Sequence, residues 1–369
     1  MQNKLTYIID VGSSSLRLFA VTKIAGKSHI LTENVVLYDG FMDGEFLTPK
    51  KLDSQFSTLI SGMSSKMCKA ITSVIVGVPS EFCLCVCKRI TRKFTSPRKI
   101  SESDMREFYQ NNAQFGDSEQ YTVINYSPMQ CVLDDGFKTL EPVGKKSSTL
   151  VVDCSYILAK NSFIQQISKI LGDLKIKHIE FVSTALGQAI ACKPEKNKGN
   201  PIAIVDCGHI TTSVAVYKGE GLAMLSSFSM GGGYISSDIM QLLGLSYKDA
   251  EIIKRKVVLT VETNSNESYE ACYKGNLIKA PINITNQIVK SRIEMIAKVI
   301  SNILNIDPVF KDVDIYLTGD GISNFRGAKN IVSEQTGHKV FDYCIPFDNT
   351  QDKFQTSKLG LKTLAEILE

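Results

Sequence analysis

One short pattern occurs twice in this chain, once near the start and once past the middle. Residues 8–12 read Ile-Ile-Asp-Val-Gly and lead through three serines into a second apolar strand. Residues 204–208 read Ile-Val-Asp-Cys-Gly and lead through a polar turn, ending at Thr211, into another such strand. An internal repeat of this kind indicates two similar half-domains. Each half is therefore predicted to open with a strand, an Asp-x-Gly turn and a second strand.

The Asp-x-Gly turns predict the geometry of a nucleotide site. Glycine lets the backbone come close to a phosphate, and successive turn N–H groups form an anion-binding nest. The aspartates, Asp10 and Asp206, are placed where a carboxylate can hold Mg²⁺, usually through water. A single Asp-x-Gly tripeptide is most often an ordinary hairpin turn. Two copies, each opening one half of the chain, favour opposed loops around one phosphate chain.

Composition narrows the class of protein. The chain has 369 residues, of which 43% are apolar. A chain of this length is too long for one compact core and fits about two to four subdomains. A net charge of +4 is too balanced to predict nucleic-acid binding. No apolar run reaches the roughly 18 residues of a spanning helix, and no signal peptide precedes Asp10. We therefore expect a cytoplasmic protein without direct membrane insertion, whose ten cysteines are reduced thiols. The group Cys83, Cys85 and Cys87 lies on one face of a strand and is interpreted as core.

Alternating strands and helices predict an α/β protein whose first half carries an insert. The insert begins with a strand that has a basic continuation, and Ser101 is a plausible N-cap of its first helix. A polar segment with Pro and Gly, residues 193–201, is predicted to link the two halves. The predicted ranges are 1–80 with 176–198 and 352–369 for the first half, 81–175 for its insert, 199–235 with 306–351 for the second half, and 236–305 for a further subdomain on that half.

The order of these motifs resembles the actin-like (ribonuclease-H-like) ATPase superfamily. The insert narrows the resemblance, because residues 123–134 (Val-Ile-Asn-Tyr-Ser-Pro-Met-Gln-Cys-Val-Leu-Asp) and 141–144 (Glu-Pro-Val-Gly) are similar to the insert of the bacterial cell-division protein FtsA. Residues 237–239 and 249–254 are similar to FtsA helices. The resemblance implies a duplicated actin-like fold with an SHS2-type insert. The four ranges given above would then be subdomains 1A, 1C, 2A and 2B.

The resemblance also implies ATP and Mg²⁺ as ligands and gives a role to each matching position. The implied positions are Asp10, Gly12, Ser13 and Ser14 in the first phosphate loop; Asp206, Gly208 and Thr211 in the second; Gly232 and Gly233 at a helix N-terminus near the nucleotide; Glu251 and Lys254 near the ribose and base; and Gly319 and Gly321 against the adenosine. Mg²⁺ would be held by Asp10 or Asp206. The alternatives are a strand-to-helix turn for the glycine run, a surface ion pair for Glu251 and Lys254, and a tight turn at Gly319.

Three departures from the FtsA pattern bear on the chemistry. Ser15 stands where FtsA commonly has lysine, His209 and Ile210 stand where glycines are common, and Asp320 replaces a glycine of the adenosine loop. Each departure is expected to weaken ATP affinity or hydrolysis. No general base is identifiable in the sequence, so the catalytic residues stay unassigned and ATPase activity is expected to be weak or absent.

The leading interpretation is an FtsA-like cytoplasmic ATP-binding scaffold of bacterial cell division that binds FtsZ or other divisome proteins and self-associates. Subdomain 2B would receive the FtsZ tail, and its basic side chains are Arg255, Lys256, Lys290, Arg292 and Lys298. FtsA usually continues into a membrane-targeting helix, whereas this sequence ends at Glu369, so we expect recruitment to the membrane through partners or none.

Two other functions stay open. The first alternative is a PilM-like cytoplasmic adaptor of type IV pilus assembly, which residues 12–15 and 244–246 fit well. The second is a small-molecule kinase of the same superfamily, for which the sequence offers no convincing catalytic base.

Overall fold

The computed structural model describes residues 5–24, 27–116, 119–192, 200–260, 267–343 and 356–368. Most of the predicted linker, residues 193–199, lies outside this range. The first half forms β1 (Leu5–Val11), β2 (Ser15–Ile24), β3 (Lys27–Leu37), β4 (Phe41–Met42), β5 (Glu45–Phe46), α1 (Leu52–Met67) and β6 (Ser73–Val78).

The insert and the return to the first half follow. They form β7 (Cys83–Lys99), α2 (Glu102–Asn111), β8 (Tyr121–Leu133), β9 (Lys138–Thr139), β10 (Lys146–Lys160), α3 (Asn161–Asp173), β11 (His178–Ser183) and α4 (Thr184–Cys192).

The remaining elements build the second half and close the chain. They are β12 (Ile202–Cys207), β13 (Thr212–Lys218), β14 (Gly221–Phe228), α5 (Gly232–Leu243), α6 (Tyr247–Lys254), β15 (Ser268–Tyr273), β16 (Asn276–Pro281), α7 (Ile282–Leu304), β17 (Asp314–Thr318), α8 (Ala328–Thr336), β18 (Val340–Asp342) and α9 (Thr356–Leu368).

The two halves contain sheets of the same topology. The first sheet has the order β11-β6-β1-β2-β3, and the second, read from its other edge, has the equivalent order β18-β17-β12-β13-β14. In each sheet the opening strand pairs antiparallel with the next strand and parallel with the strand on its other side. The opening strands are central and nearly continuously apolar, as is expected of strands covered on both faces. The duplication predicted from the repeated pattern is confirmed.

The insert is a four-stranded antiparallel sheet in the order β7-β10-β8-β9. Helix α2 covers one face of this sheet and is held at its start by a capping box between Ser101 and Asp104. Helix α3 packs with the core of the first half through Phe163 and Ile167 rather than with α2. The predicted subdomain boundaries stay a prediction, because packing alone does not define them.

The insert also contacts the second half of the same chain. The Ser155 hydroxyl donates to the carbonyl of Leu222, at 2.7 Å, and the thiols of Cys85 and Cys87 point at the same carbonyl. Cys87 is exposed, so it is not the core residue that the sequence predicted. All nine cysteines within the described part of the chain are free thiols. These contacts fix the insert against the edge strand β14.

Two helices, α4 and α9, cross each other between the halves. Helix α4 follows the last strand of the first sheet, and α9 returns from the second half to lie against it. They approach backbone to backbone at Gly187 and Gly360, since a Cβ on Gly187 would lie 2.7 Å from the carbonyl oxygen of Gly360. The N-terminal ends of both helices face the cleft between the sheets through Thr184 and Ser357. The crossing therefore forms the floor of the cleft.

Candidate functional site

The two repeated turns are locally equivalent. In the first, the Gly12 N–H donates to the Ser15 carbonyl at 3.0 Å, and in the second the Gly208 N–H donates to the Thr211 carbonyl at 2.8 Å. Each turn joins an antiparallel strand pair whose last registered residues flank the turn. The turns therefore end their sheets at the same level, on opposite walls of the cleft.

The narrow end of the cleft, about 130 Å³, lies between these turns. Its lining includes residues from both loops and from the crossing helices. Among the predicted site residues it collects Asp10, Gly12, Ser13, Ser14, Asp206, Gly208, Thr211 and Gly319.

The wide end, about 790 Å³, continues from the narrow end and shares Ser14, Ser15, Arg17, His209 and Asp320 with it. It contains the other predicted positions, Gly232, Glu251, Lys254 and Gly321. The exception is Gly233, which lies against the His209 carbonyl rather than in the lining. The first half contributes Val35, Leu37 and Tyr38 to one wall.

Glu251 and Lys254 form a mostly buried ion pair in the wide end. The Lys254 ammonium lies 2.5 Å from a Glu251 carboxylate oxygen and donates to the Gly232 carbonyl at 3.0 Å. Burial alone would raise the pKa of Glu251, but the Lys254 charge and hydrogen bonds from Lys254 and Ser236 leave that pKa below its ordinary value. The pair is thus a fixed part of the wall and not the solvated surface pair that was its alternative.

Glycine is sterically required where the loops of the second half meet. Gly319 has φ +85°, and a Cβ there would lie 2.2 Å from the Cys207 carbonyl oxygen and 2.4 Å from an Asp206 carboxylate oxygen. At the start of α5, the N–H groups of Gly232 and Gly233 donate to the carbonyls of Gly208 and His209, at 2.9 and 2.7 Å. The helix start therefore holds the second loop in place.

The two aspartates share one narrow space, in which Asp10 is buried and Asp206 is half-buried. Burial raises the pKa of Asp10, against the hydrogen bond from Ser357 and the charges of Arg17 and Lys358. Burial, with the nearby carboxylates Asp10 and Asp320, raises the pKa of Asp206 to about 6, although Gln188 donates to it at 2.6 Å. Carboxylates that repel each other in a dry site gain from a shared cation.

A divalent cation fits this arrangement only with other ligands. No group of three or more His, Cys, Asp or Glu in the described ranges is arranged to hold a metal ion. Mg²⁺ commonly keeps several waters and takes one or two carboxylates together with phosphate oxygens. Asp10 and Asp206 can supply the one or two carboxylates, and the other ligands would be water and phosphate oxygens rather than protein groups.

The three departures lie in the cleft. His209 lines both ends and is hydrogen-bonded to the Tyr247 hydroxyl at 3.1 Å, and burial lowers the pKa of its imidazole. Asp320 also lines both ends. At the third departure, Arg17 donates to the Ser15 hydroxyl at 3.3 Å. A cation therefore stands two residues beyond the position where FtsA commonly has lysine.

Several lining residues were not predicted from the sequence. Arg17, Glu81, Thr184 and Gln188 line the narrow end, and the Tyr38 hydroxyl donates to the Gly12 carbonyl at 2.7 Å. Arg17 was accessible to sequence reasoning, because alternation places it on the same strand face as Ser15. The others reach the cleft from segments distant in sequence from the two loops, and no local pattern indicates them.

Comparisons with known proteins agree with this architecture. Residues 203–354 match the family model described as cell division protein FtsA. The chain is 21% identical to the cell division protein FtsA of Enterococcus faecalis over 335 residues. The aligned region covers 88% of this chain and 75% of that protein. Its fold is similar to that of the PilM-PilN type IV pilus biogenesis complex, with a TM-score of 0.61 and 12% identity over 99% of this chain and 98% of that one. It is also similar to MreB5 of Spiroplasma citri bound to AMPPNP, with a TM-score of 0.57 and 11% identity over 100% of this chain and 98% of that one.

The chain is FtsA-like, with an actin-like ATPase fold. The predicted resemblance to FtsA and the predicted fold class are both confirmed. The structural neighbours bear on the fold of this FtsA-like chain only, because their sequence identities are low. Among its described residues, no helix is long and apolar enough to cross a membrane.

Proposed function

We propose that this chain is an FtsA-like cytoplasmic ATP-binding scaffold of bacterial cell division. One observation carries the proposal: two equivalent Asp-x-Gly turns face each other across a cleft in a chain whose sequence resembles FtsA. The role in cell division is inferred from the resemblance to FtsA, and the nucleotide site is inferred from the geometry of the cleft.

ATP would lie along the cleft with its phosphates at the narrow end. Residues 12–14 and 208–211 would flank the phosphates, and Asp10 and Asp206 would hold Mg²⁺ together with phosphate oxygens and water. The nucleoside would occupy the wide end, beside Gly232, Gly321 and the Glu251–Lys254 pair, and Gly319 would pass beneath it. Arg17 would supply the positive charge that Ser15 does not.

The cleft favours binding over rapid hydrolysis. Its two central carboxylates would be occupied by Mg²⁺, and the neutral His209 is hydrogen-bonded to Tyr247. The Glu81 carboxylate accepts from the Gly44 N–H and from the Ser229 hydroxyl, so it serves in the contact between the halves. ATPase activity is therefore proposed to be weak or absent.

The proposed partner site is the outer face of residues 236–305. Arg292 is engaged with Asp238 in a two-bond ion pair, at 2.6 and 2.7 Å, so it does not compete for a peptide. Lys256, Lys290 and Lys298 are exposed and would meet the acidic tail of FtsZ. The chain is proposed to reach the membrane through such partners.

Self-association is proposed through the far tip of the insert. The face that touches β14 is already covered within the chain by the contacts of Ser155 and Cys85. The tip instead exposes Phe137, at 51%, and Val143, at 45%. Phe137→Ser should reduce Mg-ATP-dependent sedimentation, whereas deletion of the whole insert would also uncover β14 and test nothing specific.

A second function, a PilM-like adaptor in type IV pilus assembly, is supported by the TM-score of 0.61 with the PilM-PilN complex. Calorimetric titration with the FtsZ C-terminal tail and with PilN, both from the source organism, separates the two functions. Binding of the FtsZ tail that is lost in Lys290→Glu/Lys298→Glu, but kept in the control Lys50→Glu/Lys69→Glu, supports the divisome role. Binding of PilN alone supports the adaptor.

The nucleotide part of the proposal has its own test. Calorimetry of the wild-type chain with Mg-ATP should give saturable binding that is lost when Mg²⁺ is chelated. Absence of binding at millimolar nucleotide would leave a scaffold without a ligand in its cleft.

A further inference from the structure

The tip of the β4–β5 hairpin is hydrogen-bonded to the second half of the chain. The Asp43 N–H donates to the Ser229 hydroxyl oxygen at 3.1 Å, and the same hydroxyl lies 2.7 Å from an Asp43 carboxylate oxygen. Glu81 joins this contact. One of its carboxylate oxygens lies 3.2 Å from the Ser229 hydroxyl, and the other accepts from the Gly44 N–H at 3.3 Å. Residues 43 and 81 thus present three polar groups to one hydroxyl across the cleft.

The contact joins an anchored element of the first half to the second phosphate loop. The base of the hairpin is held by Phe41 and Phe46, which are buried and have ring centroids 5.1 and 5.2 Å from that of Phe82. On the other side, Ser229 lies two residues before the glycine run whose N–H groups hold the loop that carries Gly208. A change at Ser229 therefore bears on the position of that loop relative to the first half.

The hydrogen bonds of this contact lack one proton when both carboxyls are ionised. A hydroxyl donates one hydrogen bond and accepts two. The single proton of the Ser229 hydroxyl would have to serve the Asp43 and Glu81 oxygens together, and two carboxylates on one hydroxyl repel each other. A proton on Glu81 removes the conflict, because Glu81 then donates to the Ser229 oxygen and Ser229 donates to Asp43. With the Asp43 N–H as the second donor, the hydroxyl is fully hydrogen-bonded.

The surroundings of Glu81 favour this protonated form. Burial raises the pKa of Glu81 and the charge of Asp43 adds to the rise, against hydrogen bonds from Gly44 and Ser229 and the charge of Lys160. The Lys160 ammonium lies 3.5 Å from the Gly44 carbonyl oxygen, so the hairpin turn also engages this cation. A raised carboxyl pKa means that the contact is most stable below the ordinary pKa of glutamate and weakens as the pH rises through the raised value.

We propose that Glu81, Asp43 and Ser229 form a proton-dependent latch between the halves, which is closed while Glu81 carries a proton and loosens when that proton passes to water. The latch goes beyond the proposed nucleotide function, since it operates in the nucleotide-free chain. Glu81 and Phe41 also line the narrow end. A loosened latch would free the second phosphate loop at this edge of the cleft and speed nucleotide release, and this coupling rests on the proposed function.

Hydrogen exchange measures the latch directly, because the Asp43 and Gly44 N–H groups are two of its donors. Their protection in the nucleotide-free wild type, corrected for intrinsic exchange at each pH, should fall about tenfold from about pH 5 to about pH 8, the size of one hydrogen bond to a charged group. Glu81→Gln supplies a permanent donor and acceptor in place of the protonated carboxyl, so protection should stay high at every pH. Ser229→Ala should give low protection at every pH.

Two controls belong to the same hairpin region. Glu45→Gln changes an exposed glutamate of β5 and should keep the pH dependence of the wild type. The Leu47 N–H donates to the Gly40 carbonyl at 3.0 Å and reports whether the hairpin itself stays folded. Its protection should be the same in the wild type and in all three variants.

The exchange results decide the latch. Wild-type protection that does not vary with pH overturns the role of the proton. Unchanged protection in Ser229→Ala, with the Leu47 N–H still protected, overturns the latch itself. A pH dependence that persists in Glu81→Gln, or that disappears in Glu45→Gln, overturns the assignment of the proton to Glu81.

A second measurement tests the coupling to nucleotide. Release of a fluorescent Mg-ADP analogue should be about tenfold faster from Ser229→Ala than from the wild type at about pH 5, the same factor as the loss of protection. Equal release rates, with protection lost in Ser229→Ala, would overturn the coupling. No binding of the analogue by the wild type would count against the proposed nucleotide function, and the exchange results would still decide the latch.

Discussion

Replacing Asp206 by asparagine should stabilise the protein and weaken its binding of Mg-ATP. Asp206 is the next-to-last residue of β12 and lines the narrow end, and burial with the charges of Asp10 and Asp320 raises its pKa from 3.8 to about 6. A raised carboxyl pKa means that the folded protein disfavours the ionised form. Stability from this group is therefore fully present below the ordinary carboxyl pKa and is lost as the pH rises through about 6.

The magnitude follows from the shift. Each pKa unit corresponds to about 1.4 kcal/mol, so the shift sets a ceiling of about 3 kcal/mol for the cost of ionised Asp206. The residue keeps partial exposure to the cleft, so we expect about 1–2 kcal/mol of stabilisation at pH 8. Asparagine preserves the size of the side chain, and its amide can be reoriented to accept from Gln188.

The assay is chemical unfolding of wild type and Asp206→Asn from about pH 3 to pH 8. The stability difference should be near zero at about pH 3, grow between about pH 4 and pH 6, and level off at higher pH. The control Asp104→Asn should have the opposite sign at pH 7, because the Arg98 ion pair and hydrogen bonds from Ser101 hold the pKa of Asp104 well below its ordinary value. A stability difference for Asp206→Asn that does not vary with pH would refute the electrostatic reasoning.

Mg-ATP binding should respond in the opposite direction. Asp206→Ala or Asp206→Asn should lose about 1–3 kcal/mol of binding free energy, the cost of losing a charged polar partner. In the wild type, affinity should fall as the pH drops through about 6, because protonated Asp206 no longer attracts Mg²⁺. Unchanged affinity in the variants would show that Asp206 does not contact the metal.

Three further predictions concern stability. Gly187→Ala should cost about 2 kcal/mol in urea unfolding, because its Cβ would meet the Gly360 backbone, whereas Gly172→Ala, with no atom within 4 Å of the added carbon, should be neutral or slightly stabilising. Lys254→Met should lower the free energy of unfolding by about 2–3 kcal/mol, because it leaves the Glu251 carboxylate unpaired. Adding Glu251→Gln should recover part of that loss, and equal stability of wild type and Lys254→Met would contradict a buried pair. The destabilisation by Asp104→Asn should shrink as the pH falls below about 4, since a lowered pKa gives stability that is lost on protonation; a gap that persists at pH 3 would assign the loss to packing.

The features that the sequence predicted are those encoded locally. The repeated Asp-x-Gly turns carry their own strands on either side, so the pairing of β1 with β2 and of β12 with β13 follows from residues close in the chain. The N-cap at Ser101 is equally local, and the structure confirms it with a capping box. Two equivalent turns also predict one cleft, because two similar sheets that pack together bring their equivalent ends to a shared space.

The features that the sequence did not predict depend on contacts between distant segments. The Tyr38 hydroxyl reaches the carbonyl of Gly12 from beyond β3, and Thr184 enters the cleft only because β11 lies beside β6. Helix α3 lies within the sequence range predicted for the insert, yet it packs on the first half through Phe163. In each case a partner about 25 or more positions away decides the contact, and periodicity carries no information about it.

The substitution of glycines by His209 and Ile210 changes how the second loop can work. The Ile210 N–H donates to the Ser13 hydroxyl at 3.1 Å, and a Cβ on Gly40 would come within 2.9 Å of the Ile210 side chain, which shows how closely that side chain lies on the first half. The two loops therefore already touch in this structure. A phosphate that lies between them has to replace the Ser13–Ile210 hydrogen bond and then receive the released N–H. The apparent affinity for nucleotide would then be the intrinsic affinity multiplied by the fraction of molecules in which the two loops stand apart. The weak nucleotide binding expected from the sequence thus acquires a specific cause, a competing contact between the halves, in addition to the loss of glycine at the loop.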